Sequence, residues 1–454
     1  MNKINKILIA NRGEIAVRII RACREMNIQT VAIYSTVDVE SLHVILADEA
    51  ICIGDHRLMT SYLNQEAILQ AAVNSGVQAI HPGYGFLSEN ANFAKACERL
   101  NLKFIGPKYQ TIEQMGDKQS ARDTMSRAGV PIVPGSLGLV EDYQQALKEV
   151  KNIGYPVLIK ATAGGGGKGM RVCYQEADLK AAFSAASNEA LNAFGDGSVY
   201  LERFIENPRH IEVQVIGDEF GNVAHLFERE CSVQRNNQKM IEEAPVENLK
   251  ASTKKQLYAV ALKAAKSIGY ISAGTLEFIM DEQENFYFIE INTRIQVEHP
   301  ITEMISGIDL IKEQIRVADG QKLSFKQKDL KILSHAIEIR INAEDPYDNF
   351  KPSAGFIEGV HFPGGNGVRV DSFIYQGYSI QPWYDSMIAK VIVQANNRAE
   401  AIDKAVRCLE EMDIYGVITN AEFQLEILLC DQFLSNTYNT SLVKHLLAER
   451  DHDV

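Results

Sequence analysis

Between Phe286 and Pro300 the chain reads FYFIEINTRIQVEHP, and from Glu290 polar and apolar residues alternate without a break. Glu290, Asn292, Arg294, Gln296 and Glu298 are polar; Ile291, Thr293, Ile295 and Val297 between them are mostly apolar and β-branched. Successive side chains of an extended strand point to opposite faces, so a strand through this run sets all five polar groups on one face. An ordinary half-buried strand turns Lys, Thr and Ser to water. This one offers two carboxylates, two carboxamides and a guanidinium, a set suited to a metal, an anion and a proton. A solvated edge strand has the same periodicity, and two other segments weigh against that reading.

The first lies just upstream. Gly274 to Met280 (GTLEFIM) reads as a strand and Asp281 to Asn285 (DEQEN) as a polar turn, which together predict a β-hairpin. If Met280 lies opposite Tyr287, Glu277 falls opposite Glu290; a slip of one residue sends Glu277 to the other face. Glu277, Glu290 and the Asn292 oxygen then make a hard, all-oxygen site that suits Mg2+ or Mn2+. The second segment is KATAGGGGKGM, residues 160–170. Gly164, Gly166 and Gly169 satisfy G-x-G-x-x-G, but a strand pattern follows where a dinucleotide fingerprint needs a helix. Gly169 after Lys168 also excludes a Walker A loop, which needs Ser or Thr there. What remains is a glycine lid whose backbone N–H groups can fold over phosphates, with Lys160 and Lys168 flanking it.

Composition narrows the class. At 454 residues the chain should hold about three domains. A net charge of -13 argues against nucleic acid as a partner. No apolar run approaches membrane-span length, and MNKINKILIANRG leads straight into strand and helix patterns, so neither a membrane anchor nor a signal peptide is expected. Seven scattered cysteines without a CxxC pair suggest reduced thiols in a cytoplasmic protein, with neither zinc nor disulfides.

Taken in order, the chain opens with strands and helices in alternation. ILIA (7–10), a helix from Glu14 to Met26, TVAIYS (30–35), AICIG (50–54), a helix near 64–75, QAIHPGYG (78–85) and KFIG (103–106) predict a parallel sheet covered on both faces. Ligands of such sheets gather at the carboxyl ends of the strands, where NRGE (11–14) and HPGYGF (81–86) fall. Thr111 to Ala128 has helical character and contains Lys118; PVLIK is a strand ending in Lys160. VYLERFIENPRHIEVQVIGD (199–218) supplies two strands, with Glu202 to Phe204 as a backbone segment for an adenine. SVQRNNQKM (232–240) reads as a polar, basic loop carrying Lys239, and 249–270 as a helix closed by Gly269. HAIEIRINAED (335–345) alternates again, with Glu338, Arg340 and Asn342 on one face. Strands through 356–393 and a helix at 398–412 complete an α+β end domain, and AERDHDV is expected to fray.

IANRGEIA (9–16), HPGYGFLSEN (81–90), KATAGGGGKGM (160–170), ENPRHIEVQV (206–215), FIEINTRIQVEHP (288–300) and RINAEDP (340–346) together resemble biotin carboxylase, an ATP-grasp enzyme. The likeness runs from residue 3 to about 446. It implies an α/β and α+β multidomain fold: a biotin-carboxylase-type N-terminal parallel-sheet domain (1–115), an ATP-grasp core (116–325) with a hinged glycine-loop lid (133–204), and an α+β C-terminal domain (334–446). Carried over by position, it assigns ATP contacts to Lys118, Lys160, Gly166, Gly167, Glu202, Arg203, Phe204, Ile205 and His210. It assigns metal ligation to Glu277, Glu290 and Asn292, and bicarbonate binding to Lys239, Arg294, Gln296 and Val297. Glu298 becomes the base, and Tyr84 and Arg340 the biotin site. The family commonly has histidine where this chain has Asn237, which predicts altered nucleotide contacts with activity retained.

The resemblance also implies the partners. No Met-Lys-Met, the family's biotin-attachment motif, occurs in the sequence, so biotin is expected on a separate biotin carboxyl carrier protein. A homodimer working with carboxyltransferase subunits of an acetyl-CoA carboxylase follows, feeding malonyl-CoA to fatty acid synthesis. A subunit of a pyruvate or propionyl-CoA carboxylase shares the half-reaction. Two rivals stand further off. Another ATP-grasp ligase is disfavoured by Tyr84, Arg340 and RINAEDP, and a nucleotide-sensing module by the retention of Glu277, Glu290 and Glu298.

Overall fold

The computed structural model describes residues 3–136, 138–161, 170–194 and 197–453. It divides into a large unit (Met1–Val130, Arg209–Phe278, Glu290–Val454) and a small one (Pro131–Pro208, Ile279–Ile289). In the large unit β1 (Lys6–Ile9), β2 (Gln29–Ser35), β3 (Glu49–Gly54), β4 (Ala79–His81) and β5 (Lys103–Phe104) form a parallel sheet in the order β3-β2-β1-β4-β5. β1 is buried on both faces: Ile7 and Ile9 pack with Ile15 and Ile19 of the helix Gly13–Glu25, and Leu8 packs with Val31, Ile80 and Phe93. Strand order reverses at β1, so β1 and β4 open a crevice at their carboxyl ends, as the sequence predicts. There Asn11 Nδ2 donates to the Pro82 and Tyr84 carbonyls, each at 2.7 Å. Gly83 between them has φ +63, and a Cβ on it would lie 2.9 Å from Asn11 Nδ2, so the loop can approach this closely only through glycine.

The expected helix over 111–128 is two helices, Tyr109–Gly116 and Lys118–Arg127. Asp117 between them is extended, and its carboxylate accepts from the Ser120 N–H at 2.7 Å, which caps the second helix.

In the small unit β6 (Val157–Ala161), β7 (Met170–Cys173) and β8 (Val199–Arg203) form an antiparallel sheet in the order β7-β6-β8. Its core joins Val157, Ile159, Val199 and Leu201 to Leu179 and Phe183 of the helix Glu176–Phe194. The turn between β6 and β7, with Gly164, Gly166, Gly167, Lys168 and Gly169, lies outside the described residues.

β9 (Arg209–Gly217), β10 (Val223–Arg235), β11 (Gln238–Ala244), β12 (Ser272–Met280), β13 (Phe286–Asn292) and β14 (His335–Asn342) belong to an eight-stranded sheet. Its order is β13-β12-β9-β10-β11-β14, continued by Met387–Ala395 and Val368–Ser372. The C-terminal strands therefore extend the central sheet, with β14 antiparallel to β11. Ile337, Ile339, Val391 and Val393 pack there with Ala405 and Leu409 of the helix Arg398–Glu411.

Three expectations change. Residues 232–240 are no loop: β10 and β11 run through them as a hairpin turning at Asn236 and Asn237, whose φ values are +50 and +65. Such tight hairpins need left-handed residues at both central positions, and asparagine tolerates that conformation. AERDHDV, expected to fray, is helical from Ala448 to Asp453 as the end of the helix Leu442–Asp453, and Val454 lies outside the described residues. Finally, β13 stops at Asn292, because the Thr293 N–H leaves the ladder for Glu89 Oε1 at 2.9 Å. The chain then bends, and the helix His299–Ser306 begins with Pro300 in its first turn.

Candidate functional site

The site of the large unit is assembled on β9 to β14. On β9, His210, Glu212 and Gln214 alternate with Ile211, Val213 and Val215, all three of them fully buried. Glu212 lies directly opposite Arg229 of β10. Arg229 is fully buried, and each of its donors finds an acceptor: Glu212 Oε1 (2.5 Å), Gln214 Oε1 (2.8 Å), Thr302 Oγ1 (2.8 Å), Gln296 Oε1 (2.7 Å) and Thr275 Oγ1 (3.2 Å). A guanidinium has five N–H groups, so this one is saturated and fixed.

Lys239 extends from β11 into the same array. Its Nζ donates to Glu212 Oε2 (2.6 Å), Glu298 Oε1 (2.6 Å) and Glu277 Oε1 (3.1 Å). Burial works against its charge, but these carboxylates outweigh it and hold the ammonium protonated well above its ordinary range. Lys239 is thus a permanent cation.

The polar residues of 290–298 converge as expected, although on a bent loop instead of a flat strand face. Asn292 Nδ2 and Gln296 Nε2 donate to Glu277 Oε1 at 2.8 and 2.7 Å, and His210 Nε2 lies 3.1 Å from Glu277 Oε2. Burial raises the Glu277 carboxyl, yet Lys239 and His210 prevail and keep it well below the usual carboxylate range. Glu290 goes the other way: burial and then the charge of Glu277 push its carboxyl up, against Lys118 and Arg294. No hydrogen bond or ion pair among the described residues engages the Glu290 carboxylate. Two carboxylates in mutual repulsion, one of them unpartnered, with an amide beside them, fit a hard divalent cation. His210, Glu212 and Glu277 form a second set with donor atoms close enough for a metal.

Arg294 is held by Glu89 Oε2 at 3.0 Å and Asn292 Oδ1 at 2.8 Å, and Lys390 Nζ donates to the Val297 carbonyl at 2.7 Å. Glu298 is 2% exposed, between Lys239 and Arg340, whose Nη2 reaches Glu298 Oε2 at 3.0 Å. Burial would raise this carboxyl; Lys239, Arg340 and Arg229 together take it well below its ordinary range. Glu298 is therefore a carboxylate at neutral pH, buried and surrounded by cations. Arg340 also donates Nε to Glu242 Oε1 at 2.6 Å, and the Tyr84 hydroxyl donates to Glu14.

Other sequence candidates make fewer contacts or belong to the small unit. Lys118 is an exposed first residue of its helix, acting on Glu290 only through its charge. In the small unit Lys160 pairs with Glu202 across β6 and β8. The Arg203 and Phe204 N–H groups donate to the Pro134 and Pro156 carbonyls at 2.8 Å, so a base on this segment must use other backbone atoms; Ile205 is buried beside them. Asn237 is exposed at the hairpin tip, and Gly166 and Gly167 lie outside the described residues. The sequence reading passes over Glu212, Gln214, Arg229, Glu242 and Glu89. A signal for the first two exists in the alternation HIEVQV; none exists for Arg229.

Among the described residues no helix is long and apolar enough to cross a membrane. Three family models match the chain: the biotin carboxylase N-terminal domain over 3–112, the carbamoyl-phosphate synthase L chain ATP binding domain over 117–326, and the biotin carboxylase C-terminal domain over 338–445. Biotin carboxylase 1 of Bacillus subtilis (strain 168) is 54% identical over 442 residues, which cover 97% of this chain and 98% of that protein. The crystal structure of a Campylobacter jejuni biotin carboxylase in a β-γ-ATP complex superposes with a TM-score of 0.91 at 49% identity, covering 98% and 99% of the two chains. The biotin carboxylase domain dimer of Hydrogenobacter thermophilus 2-oxoglutarate carboxylase, solved with MgADP, ADP and bicarbonate, gives 0.90 at 50% identity and 98% coverage of both.

Proposed function

The chain belongs to the biotin carboxylase family, and from that premise we propose how its own side chains perform ATP-dependent carboxylation of biotin. The enzyme is an ATP-grasp ligase whose substrates are ATP, bicarbonate and biotin, with Mg2+ as the metal. One observation carries the assignment of roles: Glu298 is buried and ionised, between Lys239 and Arg340.

On this reading Glu298 takes the proton of bicarbonate, whose oxygen then attacks the γ-phosphoryl group of ATP, displacing ADP and giving carboxyphosphate. Lys239 and Arg294 bind the anion, with Gln296 and Val297 beside it. Arg294 exchanges its bond to Asn292 for a two-pronged grip that a lysine could not provide. Glu277, Glu290 and Asn292 hold Mg2+ or Mn2+, which when bound neutralises phosphate charge during transfer. Lys118, Lys160, Gly166, Gly167, Glu202, Arg203, Phe204, Ile205 and His210 contact the nucleotide, and residues 133–204 act as the lid. Arg340 stabilises the enolate-like oxygen of biotin, with Tyr84 at the same site. A saturated Arg229 supports Glu212 and Gln296, so the array needs little reorganisation as charge develops.

The biotin is carried by a separate biotin carboxyl carrier protein in the cytoplasm, and the enzyme works as a homodimer with carboxyltransferase subunits that make malonyl-CoA from acetyl-CoA. The dimeric relative supports the homodimer. That relative belongs to a 2-oxoglutarate carboxylase, which supports a keto acid as the alternative acceptor; the partner subunits decide between them. Phosphate release with ATP, Mg2+ and bicarbonate, with and without free biotin, tests the reaction. Biotin should stimulate it, and Glu298→Gln should lower it by roughly 100-fold or more. Bicarbonate-dependent hydrolysis indifferent to biotin would instead indicate another ATP-grasp ligase, and silence throughout a sensing module.

A further inference from the structure

Behind Arg340 the sheet carries a carboxyl group that this reaction leaves unused. β11 and β14 pair with Glu242 directly opposite Glu338, so the two side chains rise from one face with Cβ atoms about 5 Å apart. Both residues are fully buried. Glu242 Oε1 receives Arg340 Nε, but Glu242 Oε2 has no hydrogen-bond partner, and neither oxygen of Glu338 has one.

The neighbouring cations do not fill this gap. The charged groups that face Glu338 are Glu242 on β11, Arg340 on its own strand, Lys390 on Met387–Ala395, and Glu298 ahead of the helix His299–Ser306. Lys390 spends its ammonium on the Val297 carbonyl at 2.7 Å and Glu14 at 3.1 Å. Asp371, opposite Lys390 on Val368–Ser372, is gripped by Arg369. Arg340 commits Nε to Glu242 Oε1 and divides its Nη2 between that oxygen and Glu298 Oε2. Three oxygens that can only accept when ionised thus meet in a dry place without a donor. Adjacent buried carboxylates do not both ionise, and a proton is the donor the arrangement lacks.

We propose that Glu242 and Glu338 share one proton, with the Glu338 carboxyl donating to Glu242 Oε2 so that a single ionised carboxylate anchors Arg340. Burial, reinforced by the charge of Glu242, holds the Glu338 carboxyl well above its ordinary range, in agreement with this geometry. Glu338 is then a positioning residue. Its O–H fixes Glu242, Glu242 fixes Nε and Nη2 of the guanidinium, and that Nη2 stays within reach of Glu298. Loss of the proton would place two negative charges behind Arg340 and draw the guanidinium back from its working position. The positioning role rests on the reaction proposed above, whereas the shared proton stands without it.

Glu338→Gln retains a donor at this point and Glu338→Leu removes it. Biotin-dependent kcat of the Gln variant should stay within about twofold of the parent, while the Leu variant falls roughly tenfold, the loss expected for a hydrogen bond to a buried charged group. The bicarbonate KM should hardly move in either. A second readout needs no substrate. A carboxyl whose folded pKa is raised contributes stability that is full below its unfolded pKa and is lost as pH rises toward the folded value. The melting midpoint of Glu338→Gln should therefore gain on the parent as pH rises above the ordinary glutamate value of 4.5. A midpoint difference that stays flat with pH overturns the shared proton. A Gln variant as slow as the Leu variant overturns the positioning role, and that outcome is distinct from an absence of biotin carboxylation in the parent.

Discussion

The charged wall of the large unit and the Lys160–Glu202 pair of the small unit use the same residue types in opposite ways. Arg229 is 0% exposed and meets five acceptors, and Lys239 meets three carboxylates. Lys160 is 36% exposed, and Glu202 is its ion-pair partner. Buried groups with every donor committed present a fixed field, which is what a developing charge needs. A lysine 36% exposed on a small three-stranded sheet can be re-aimed at little cost, which would suit the phosphate contact proposed for it. The first arrangement trades stability for order; the second keeps freedom.

If that contrast is right, the large unit should be the more fragile to loss of a charge. Arg229→Met leaves buried Glu212 with Lys239 at 2.6 Å and His210 at 4.0 Å, and strips Gln214, Gln296, Thr275 and Thr302 of a donor. Breaking a buried pair on one side costs roughly 3–5 kcal/mol, so the urea midpoint should fall sharply. A loss below about 1 kcal/mol, the level of surface pairs, would end the distinction.

Glu303 sharpens it through pH. Burial opposes its charge, but Arg18 and Arg369 lower its carboxyl from 4.5 to about 2. A depressed carboxylate adds stability that is present above the unfolded pKa and disappears as pH falls through the folded one. Glu303→Gln should therefore cost roughly 3 kcal/mol near neutrality, and the deficit should shrink between about pH 4.5 and about pH 2. A deficit that stays constant over that range would assign the effect to shape and not to charge.

These buried cations also mark where the sequence stops being readable. Alternation singles out Glu290 to Glu298, of which Asn292 and Gln296 reach Glu277 and Glu298 reaches Lys239, yet it misplaces their backbone, because the capture of the Thr293 N–H by Glu89 is a contact between segments some 200 residues apart. The parallel N-terminal sheet, and the meeting of NRGE with HPGYG at its strand ends, follow from local patterns alone. Arg229 does not. β10 is buried on both faces, so no polar–apolar rhythm singles the residue out. Its partner Glu212 is set by the register with β9, which shifts between His225 and Glu228, and local sequence does not specify that shift. The Asn236–Asn237 turn is legible in principle, since paired asparagines between strands indicate left-handed geometry. A charge-rich flank makes it look like a solvated loop.

The smallest structural effect should come from Lys160. Its ammonium is 36% exposed and so partly screened in its pair with the 17% exposed Glu202, and exposed pairs are worth about 0.2–1 kcal/mol. Lys160→Ala should thus shift the melting midpoint hardly at all. If the lysine serves the phosphates of ATP, the KM for ATP should nevertheless rise by about tenfold or more, the scale of one charge-assisted bond. That rise should be largest at low ionic strength, because added salt screens an exposed charge whether or not ATP is its partner. The buried wall predicts the reverse pattern, with large stability effects almost indifferent to salt. A Lys160 variant that destabilises as much as Arg229→Met, or one that leaves the KM for ATP unchanged, would show that the two regions do not divide the work between a fixed field and an adaptable hand.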